Sequence, residues 1–149
     1  MVFRSFMDLA LDEARAAGAR GEVPVGAVVV RDGVVLATAG NRTREQNDPT
    51  AHAEILAIRA ACAAERSERL VGCDLYVTLE PCPMCAAAIS AARIARLYYG
   101  AADPKSGGVA QGPKIFAQPQ CHHAPEVYDG IGAAASEALL QAFFRELRA

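Results

Sequence analysis

The chain has 149 residues, 52% of them hydrophobic, and its 15 basic and 17 acidic side chains give a formal net charge of −2. This length and composition fit one domain, residues 1–149, that buries its own core. The near-neutral charge excludes a protein that binds nucleic acid through its bulk charge, so any such partner must be held by a local patch. Acidic residues interrupt the apolar N-terminus too early for a signal peptide, and no other window predicts a membrane span. We therefore expect a cytoplasmic protein.

The first part of the chain predicts a helix followed by a β-hairpin. Apolar positions recur at helical spacing from Phe3 to about Ala17. Two apolar runs, 23–30 and 34–38, flank Asp32-Gly33, which is a strong hairpin turn. Because the first run is apolar on both faces, we expect a sheet that is covered on both sides.

The rest of the chain alternates between helices and strands. We predict a helix from Pro49-Thr50 to about Glu65, a strand at 74–79, a helix from Pro81 to Ala92, a strand at 94–100, a Gly-rich loop at 104–113 and a last helix at 133–147. This order favours an α/β fold, a three-layer α/β/α sandwich around a central mixed sheet.

Two short motifs contain the residue types of a zinc site. His52 and Glu54 stand two residues apart, and Cys82 and Cys85 follow further along the chain. Imidazole and thiolate groups bind Zn²⁺ in near-tetrahedral geometry, and three protein ligands leave one position open for water. The pattern predicts a catalytic zinc site with His52, Cys82 and Cys85 as ligands and Glu54 beside the metal.

The spacings restrict where this site can lie. Cys82 and Cys85 stand at i and i+3 on one face of a helical turn, and Pro83 suits the first helical position, which makes Cys82 the N-cap. Side chains at i and i+2, such as His52 and Glu54, share a site only beyond a helix end. We therefore expect two helix N-termini to face one zinc ion, where the helix dipoles favour ionisation of both cysteines.

Glu54 is suited to move protons at such a site. Zinc lowers the pKa of a bound water to about 7, which makes hydroxide available at neutral pH. With a substrate that has an amidine-like C(NH₂)=N unit, Glu54 can take a proton from water, give it to the ring nitrogen and later protonate the departing amine. This chemistry is hydrolytic deamination.

A structural zinc site is the alternative. Such a site is closed by a fourth protein ligand, and Cys73, Cys121, His122 and His123 are the candidates, whereas Cys62 lies too far along its helix. A closed site would give Glu54 no role as a proton carrier.

The signature H-x-E…P-C-x-x-C at 52–54 and 81–85 resembles that of zinc-dependent base deaminases. Further segments, 22–28, 41–42, 48–55, 75–82, 99–101 and 143–145, resemble bacterial tRNA-specific adenosine deaminases. This resemblance implies a cytidine deaminase-like fold and a homodimer with one zinc per subunit. It also implies that the wobble adenosine of a tRNA anticodon, chiefly that of arginine tRNA, is converted to inosine.

Carried over residue by residue, the resemblance assigns zinc ligation to His52, Cys82 and Cys85 and proton transfer to Glu54. In this family the target base is splayed out of the anticodon loop into the pocket. The resemblance implies that Asn41 hydrogen-bonds this adenine and that Asp103 contacts nucleotides of the anticodon loop, although Asn and Asp are also common turn residues. On the last helix it implies RNA stacking by Phe144 with Arg145. At His122 many relatives have an Asn that contacts the nucleotide, and the resemblance implies a substrate contact there, since a His can still donate a hydrogen bond or stack.

Two other functions remain open. The same signature occurs in deaminases of free cytosine, guanine or nucleosides, which differ in substrate rather than in chemistry. A zinc-stabilised binding protein without catalysis would need the closed four-ligand site.

Overall fold

The structure, a computed structural model, describes residues 5–148 and contains four α-helices and five β-strands. In chain order these are α1 (Phe6–Ala19), β1 (Gly26–Arg31), β2 (Val34–Gly40), α2 (Ala53–Glu65), β3 (Asp74–Leu79), α3 (Pro83–Ala91), β4 (Arg96–Ala101), β5 (Glu126–Tyr128) and α4 (Ala133–Arg148). The strands form one sheet in the order β2-β1-β3-β4-β5. β1 pairs antiparallel with β2 and β3, and β3-β4 and β4-β5 are parallel pairs.

Helices cover both faces of this mixed sheet. Alternate residues of β1 enter two separate apolar clusters: Ala27 and Val29 pack on the side of α2 and α3, whereas Val28 and Val30 pack on the side of α1. α4 contacts α1 and β4 and completes the second layer. The predicted three-layer α/β/α sandwich is confirmed, and the reason is the one the sequence indicated, an apolar first strand on both faces.

Local signals account for the first elements. Ser5 and Asp8 form a capping box at the start of α1. The predicted start of this helix at Phe3 lies outside the described residues. Asp32 and Gly33 both have positive φ, as a two-residue hairpin turn requires, and they join β1 to β2.

The predicted start of α2 at Pro49-Thr50 is wrong. The Asp48 carboxylate accepts hydrogen bonds from the backbone N–H and the hydroxyl of Thr50, which closes a turn of its own. The chain is extended at His52, and the helix begins at Ala53. His52 therefore lies beyond the helix end.

The sequence prediction also missed β5 and a short 3-10 helix, Ile115–Ala117. β5 has only three residues, all exposed, so it lacks the burial pattern that identifies a strand. It pairs with β4, and the ring of Tyr128 stacks on that of Tyr98 at 4.9 Å. Within residues 5–148, no helix is long and apolar enough to cross a membrane.

Candidate metal centre and catalytic cavity

Two helix N-termini meet at the predicted site. His52 is the N-cap of α2 and Cys82 is the N-cap of α3, with Pro83 in the first turn of that helix. Cys85 follows one turn later and is fully buried. This is the arrangement that the two spacings predicted. Both N-termini point their positive dipole ends at the same place.

The donor atoms of His52, Cys82 and Cys85 form one cluster. The Nδ1 atom of His52 lies 3.6 Å from the Sγ of Cys82 and 3.5 Å from the Sγ of Cys85. Bonds of about 2.3 Å to sulfur and about 2.05 Å to nitrogen, at a tetrahedral angle, separate the two donor atoms by about 3.6 Å. The three side chains therefore fit a zinc ion.

No fourth His or Cys joins this cluster within the described part of the chain. Cys73 is buried in the core, Cys121 contacts the Ser90 hydroxyl, and His123 is hydrogen-bonded to the Ile94 carbonyl. These observations leave a closed, structural zinc site without a fourth protein ligand among the described residues. A three-ligand site that keeps an open position is the arrangement of catalytic zinc.

The two thiols of the cluster differ in acidity. A hydrogen bond from Cys85 lowers the pKa of Cys82 to about 4, and the hydrogen bond to Cys82 raises the pKa of Cys85. Without a metal ion, these hydrogen bonds favour the thiolate at Cys82 and the thiol at Cys85. A bound metal ion supplies the difference, because a coordinating thiol is deprotonated outright.

Glu54 lies in the first turn of α2 and is 4% exposed. Burial raises the pKa of this carboxyl group to about 7. It lines a cavity of about 210 Å³ together with His52 and Cys82. The cavity therefore has a candidate proton carrier next to the candidate metal ligands.

Asn41 joins the cavity wall to the start of α2. Its side-chain oxygen accepts the N–H of Ala53 at 2.8 Å, and its amide nitrogen donates to the Val23 carbonyl at 3.1 Å. The first of these bonds caps α2 and so positions His52, a role that the sequence analysis missed. An amide has two donors and two lone pairs, so Asn41 can still bond a ligand in the cavity.

Asp103 and Ser106 also line this cavity. The Asp103 carboxylate accepts the backbone N–H groups of Lys105 and Ser106, at 3.2 and 3.0 Å. The structure thus brings Asn41, Glu54 and Asp103 around one space.

Comparisons with known proteins agree with this geometry. The family model for the zinc-binding region of cytidine and deoxycytidylate deaminases matches residues 3–101. A tRNA-specific adenosine deaminase of Agrobacterium fabrum is 66% identical over 143 residues, which cover 96% of this chain and 94% of that protein. The chain belongs to the zinc-dependent deaminase family that includes the tRNA-specific adenosine deaminases. The relative from Bacillus subtilis is 43% identical and covers 96% of this chain and 89% of its own length.

Solved structures extend the likeness to the fold of this deaminase. A structure from work on A-to-I editing by tRNA:A34 deaminases has a TM-score of 0.90 and 66% identity, covering 91% of this chain and 98% of its own. A guanine deaminase from Bacillus subtilis has a TM-score of 0.66 and 32% identity, covering 97% of this chain and 95% of its own. The predicted cytidine deaminase-like fold is confirmed.

The predicted residues of the last helix line two grooves, one of which adjoins the deaminase cavity. Phe144 is 40% exposed and lines a groove of about 490 Å³, which shares Asp103 and Ser106 with the cavity. Arg145 lines a second groove of about 410 Å³, which also contains Phe144 and Arg148. Of the predicted pair, Phe144 therefore lies nearer the site.

The structure places His122 away from the metal cluster of its own chain. His122 is exposed and lines a cavity of about 520 Å³ beside α3, together with Ala87 and Cys121. No residue of the zinc cluster lines that cavity.

Two buried carboxylates of the deaminase were missed in the sequence. Glu22 and Glu80 are each 2% exposed, and each accepts backbone N–H groups of a loop that reaches the cavity. The available signal at Glu80 was a single acidic residue within the largely apolar run from Leu75 to Met84. A buried charge of this kind must be hydrogen-bonded.

Proposed function

We propose that this deaminase hydrolyses the wobble adenosine of a tRNA anticodon loop to inosine. The observation that carries the proposal is the open cluster of His52, Cys82 and Cys85 with buried Glu54 in one cavity. The cluster occurs in a chain that is 66% identical to a tRNA-specific adenosine deaminase. The cavity is small and shares Asp103 and Ser106 with a wider groove, so the target base must leave its stack to reach Glu54.

Zinc is the cofactor, and His52, Cys82 and Cys85 are its proposed ligands. When bound, the ion acts as a Lewis acid and lowers the pKa of water to about 7. Glu54 accepts one proton of the attacking water and transfers it to N1 of the adenine ring. It then takes the second proton from the new hydroxyl group at C6 and gives it to the leaving amine, so that inosine and ammonia form. Its burial keeps bulk water from exchanging that proton.

Asn41 and Asp103 are the proposed contacts of the nucleotide within the cavity. The Asn41 amide offers a donor and an acceptor that match the edge of adenine, and its bonds to Val23 and Ala53 hold it in place. The Asp103 carboxylate is oriented by two backbone N–H groups of its own turn.

Phe144 is the proposed stacking partner for an unpaired base, and Arg145 and His122 are proposed RNA contacts further out. A base on the Phe144 ring would lie in the groove that leads to Asp103. We expect Phe144→Ala to raise KM for an anticodon stem-loop and leave kcat little changed. Leu147, 61% exposed on the same helix and absent from the groove lining, supplies the matched control Leu147→Ala. Equal KM values for the two variants would remove Phe144 from the proposed RNA path.

The substrate class is tested with the purified protein. An anticodon stem-loop with adenosine at the wobble position is incubated beside free adenosine, guanine and cytosine, and inosine and ammonia are measured. We expect inosine in the stem-loop only. Arginine tRNA is the substrate that we propose within this class, so its stem-loop should react faster than one of another sequence. A tRNA substrate would place the activity in the cytoplasm.

A deaminase of a free base is the second candidate. The guanine deaminase of Bacillus subtilis, at 32% identity and a TM-score of 0.66, has the same fold. The tRNA-specific relative at 66% identity makes this candidate weaker. Ammonia released from free guanine or cytosine, without inosine in the stem-loop, would establish it.

We also propose that the enzyme is a homodimer joined through α3. This helix has no charged residue, and its outer face exposes Ala87 and Ala91 between cavities of about 520 and 360 Å³. Small side chains on an uncharged face allow the helices of two copies to approach closely. The resemblance to dimeric deaminases supports the same state.

Light scattering after size-exclusion chromatography tests the dimer. We expect a dimer for the wild type and a monomer for Ala87→Glu. Ala134 is an exposed alanine on α4, so Ala134→Glu adds the same charge elsewhere and should stay dimeric. A monomeric wild type would contradict the proposal.

A further inference from the structure

Glu80 is a buried carboxylate that the chemistry assigned to Glu54 does not use. It follows β3 directly, two residues before Cys82, and is 2% exposed. Its Oε1 atom accepts the N–H of Asp103 at 3.0 Å, and its Oε2 atom accepts those of Val109, Ala110 and Gln111 at 3.1, 2.9 and 3.1 Å. One side chain therefore holds both ends of the loop 103–111.

The loop packs so closely on this carboxylate that side chains are excluded. A Cβ atom at Gly107 would lie 2.6 Å from the Glu80 carboxylate and 2.6 Å from the Asp103 carbonyl oxygen. A Cβ atom at Gly108 would lie 2.5 Å from the Pro83 nitrogen, in the first turn of α3. The loop is thus shaped around Glu80 and set against the helix that carries the metal cysteines.

The position of this loop determines one wall of the cavity. Asp103 and Ser106 line the cavity, and with Lys105 they also line the groove that leads to Phe144. The backbone N–H of Asp103 donates a hydrogen bond to Glu80, and the Asp103 carboxylate accepts the backbone N–H of Ser106. A loosened Glu80 contact would therefore move the groups that face the substrate, while His52 and Glu54 stay on α2.

We propose that Glu80 is a positioning residue for the RNA substrate. Its carboxylate holds residues 103–111 in the shape that receives the strand on either side of the target base, and it acts through Asp103. This inference rests on the proposed RNA substrate. A role in binding rather than in the chemical step predicts an increase in KM with kcat preserved.

The test compares steady-state kinetics of Glu80→Gln with those of the wild type on the anticodon stem-loop. The amide of Gln has one accepting oxygen and one donating NH₂ group, so at least one end of the loop loses its acceptor. We expect KM to rise about tenfold, equivalent to about 1.4 kcal/mol, with kcat per bound zinc within about threefold of the wild type. Glu137→Gln, at an exposed position of α4, is the matched control and should change neither constant.

Gly107→Ala provides a second route to the same loop. It leaves the carboxylate intact but displaces the loop from it, so KM should rise as it does in Glu80→Gln. This variant carries the test if Glu80→Gln does not fold. Zinc content and thermal melting are measured for each protein.

The outcomes separate this inference from the proposed function. A lower melting temperature with unchanged KM would make Glu80 merely structural and overturn the proposal, as would a loss of kcat alone. A wild type that deaminates only a free base would refute the RNA substrate, and the inference with it. A reactive wild type with unchanged KM in both variants would refute the inference alone.

Discussion

Glu22 is, with Glu80, a buried carboxylate that holds a loop of the cavity wall, and its replacement by Gln gives a quantitative prediction for stability. Glu22 is 2% exposed and lies just before β1. Its Oε1 atom accepts the Arg44 N–H at 3.1 Å and the Thr43 hydroxyl at 3.4 Å, and its Oε2 atom accepts the Glu45 N–H at 2.8 Å. These bonds hold the loop that follows β2 and carries Thr43 into the cavity wall.

The magnitude follows from the number of acceptors that Gln loses. Whichever way the amide is turned, its NH₂ group faces at least one backbone N–H, and a lost bond to a charged group costs about 1.5 to 3 kcal/mol. The remaining bonds become neutral and about half as strong, which adds about 1 kcal/mol. We therefore expect Glu22→Gln to lower the free energy of unfolding by about 3 kcal/mol. For a chain of this size the melting temperature should fall by about 6 to 12 °C.

The pH dependence of the stability provides an independent test, because the pKa of Glu22 determines its direction. Burial by itself raises the pKa of Glu22, but the hydrogen bonds from the Glu45 and Arg44 backbone outweigh it, and the pKa lies below the ordinary value of 4.5. The ionised form is therefore stabilised in the folded state. Its contribution is complete above the unfolded pKa and is lost as the pH falls through the lower folded pKa.

Urea unfolding of the wild type, Glu22→Gln and the exposed control Glu137→Gln measures both effects. At pH 7 the Glu22 variant should be less stable by about 3 kcal/mol, and the control should lie within about 0.5 kcal/mol of the wild type. The difference in the free energy of unfolding between the wild type and Glu22→Gln should narrow below about pH 4. A difference under about 0.5 kcal/mol at pH 7, or a difference that grows in acid, would refute the stabilising role of these hydrogen bonds.

Three further predictions concern the core and the metal. In Gly26→Ala the new Cβ would lie 2.0 Å from the Ala10 carbonyl oxygen and 2.6 Å from the Ala14 nitrogen, so α1 must move off the sheet and unfolding should be easier by about 3 kcal/mol or more; wild-type stability in urea would contradict this close packing. Cys85→Ser should reduce zinc per chain in elemental analysis, whereas Cys62→Ser should keep it, because of these two cysteines only Cys85 belongs to the cluster. Equal zinc in the two variants would be inconsistent with the proposed ligands. Removal of zinc by a chelator should abolish inosine formation, and added Zn²⁺ should restore it; activity that survives complete removal would exclude a catalytic metal.

Much of the fold could be predicted because the relevant signals are local. The apolar β1 run indicated a sheet covered on both faces, and Asp32-Gly33 indicated the hairpin; the structure contains both. β5 could not be predicted, because its three exposed residues are ordered by pairing with β4 rather than by their own pattern. The start of α2 was placed too early because a side-chain turn at Asp48 replaces the first helical turn.

The metal site was predictable for a different reason. The i, i+2 spacing of His52 and Glu54 is incompatible with one helix flank, so it placed the site beyond a helix end, and the structure brings that end to the N-terminus of α3. Glu80 and the capping role of Asn41 were missed, because their partners, Val109 to Gln111 and Ala53, are distant in sequence. Contacts of this kind depend on how the loops fold over the sheet, which no local pattern encodes.

Inosine formation by Glu54→Gln in an arginine-tRNA anticodon stem-loop tests the proposed mechanism most directly. Gln keeps the size of the side chain but cannot carry the proton, so activity should fall by about 10² to 10⁴-fold while zinc per chain stays equal to that of the wild type. Zinc content must be measured on the same samples, because a lost metal would mimic a lost proton carrier. Wild-type rates in a fully zinc-loaded Glu54→Gln protein would contradict the role assigned to Glu54.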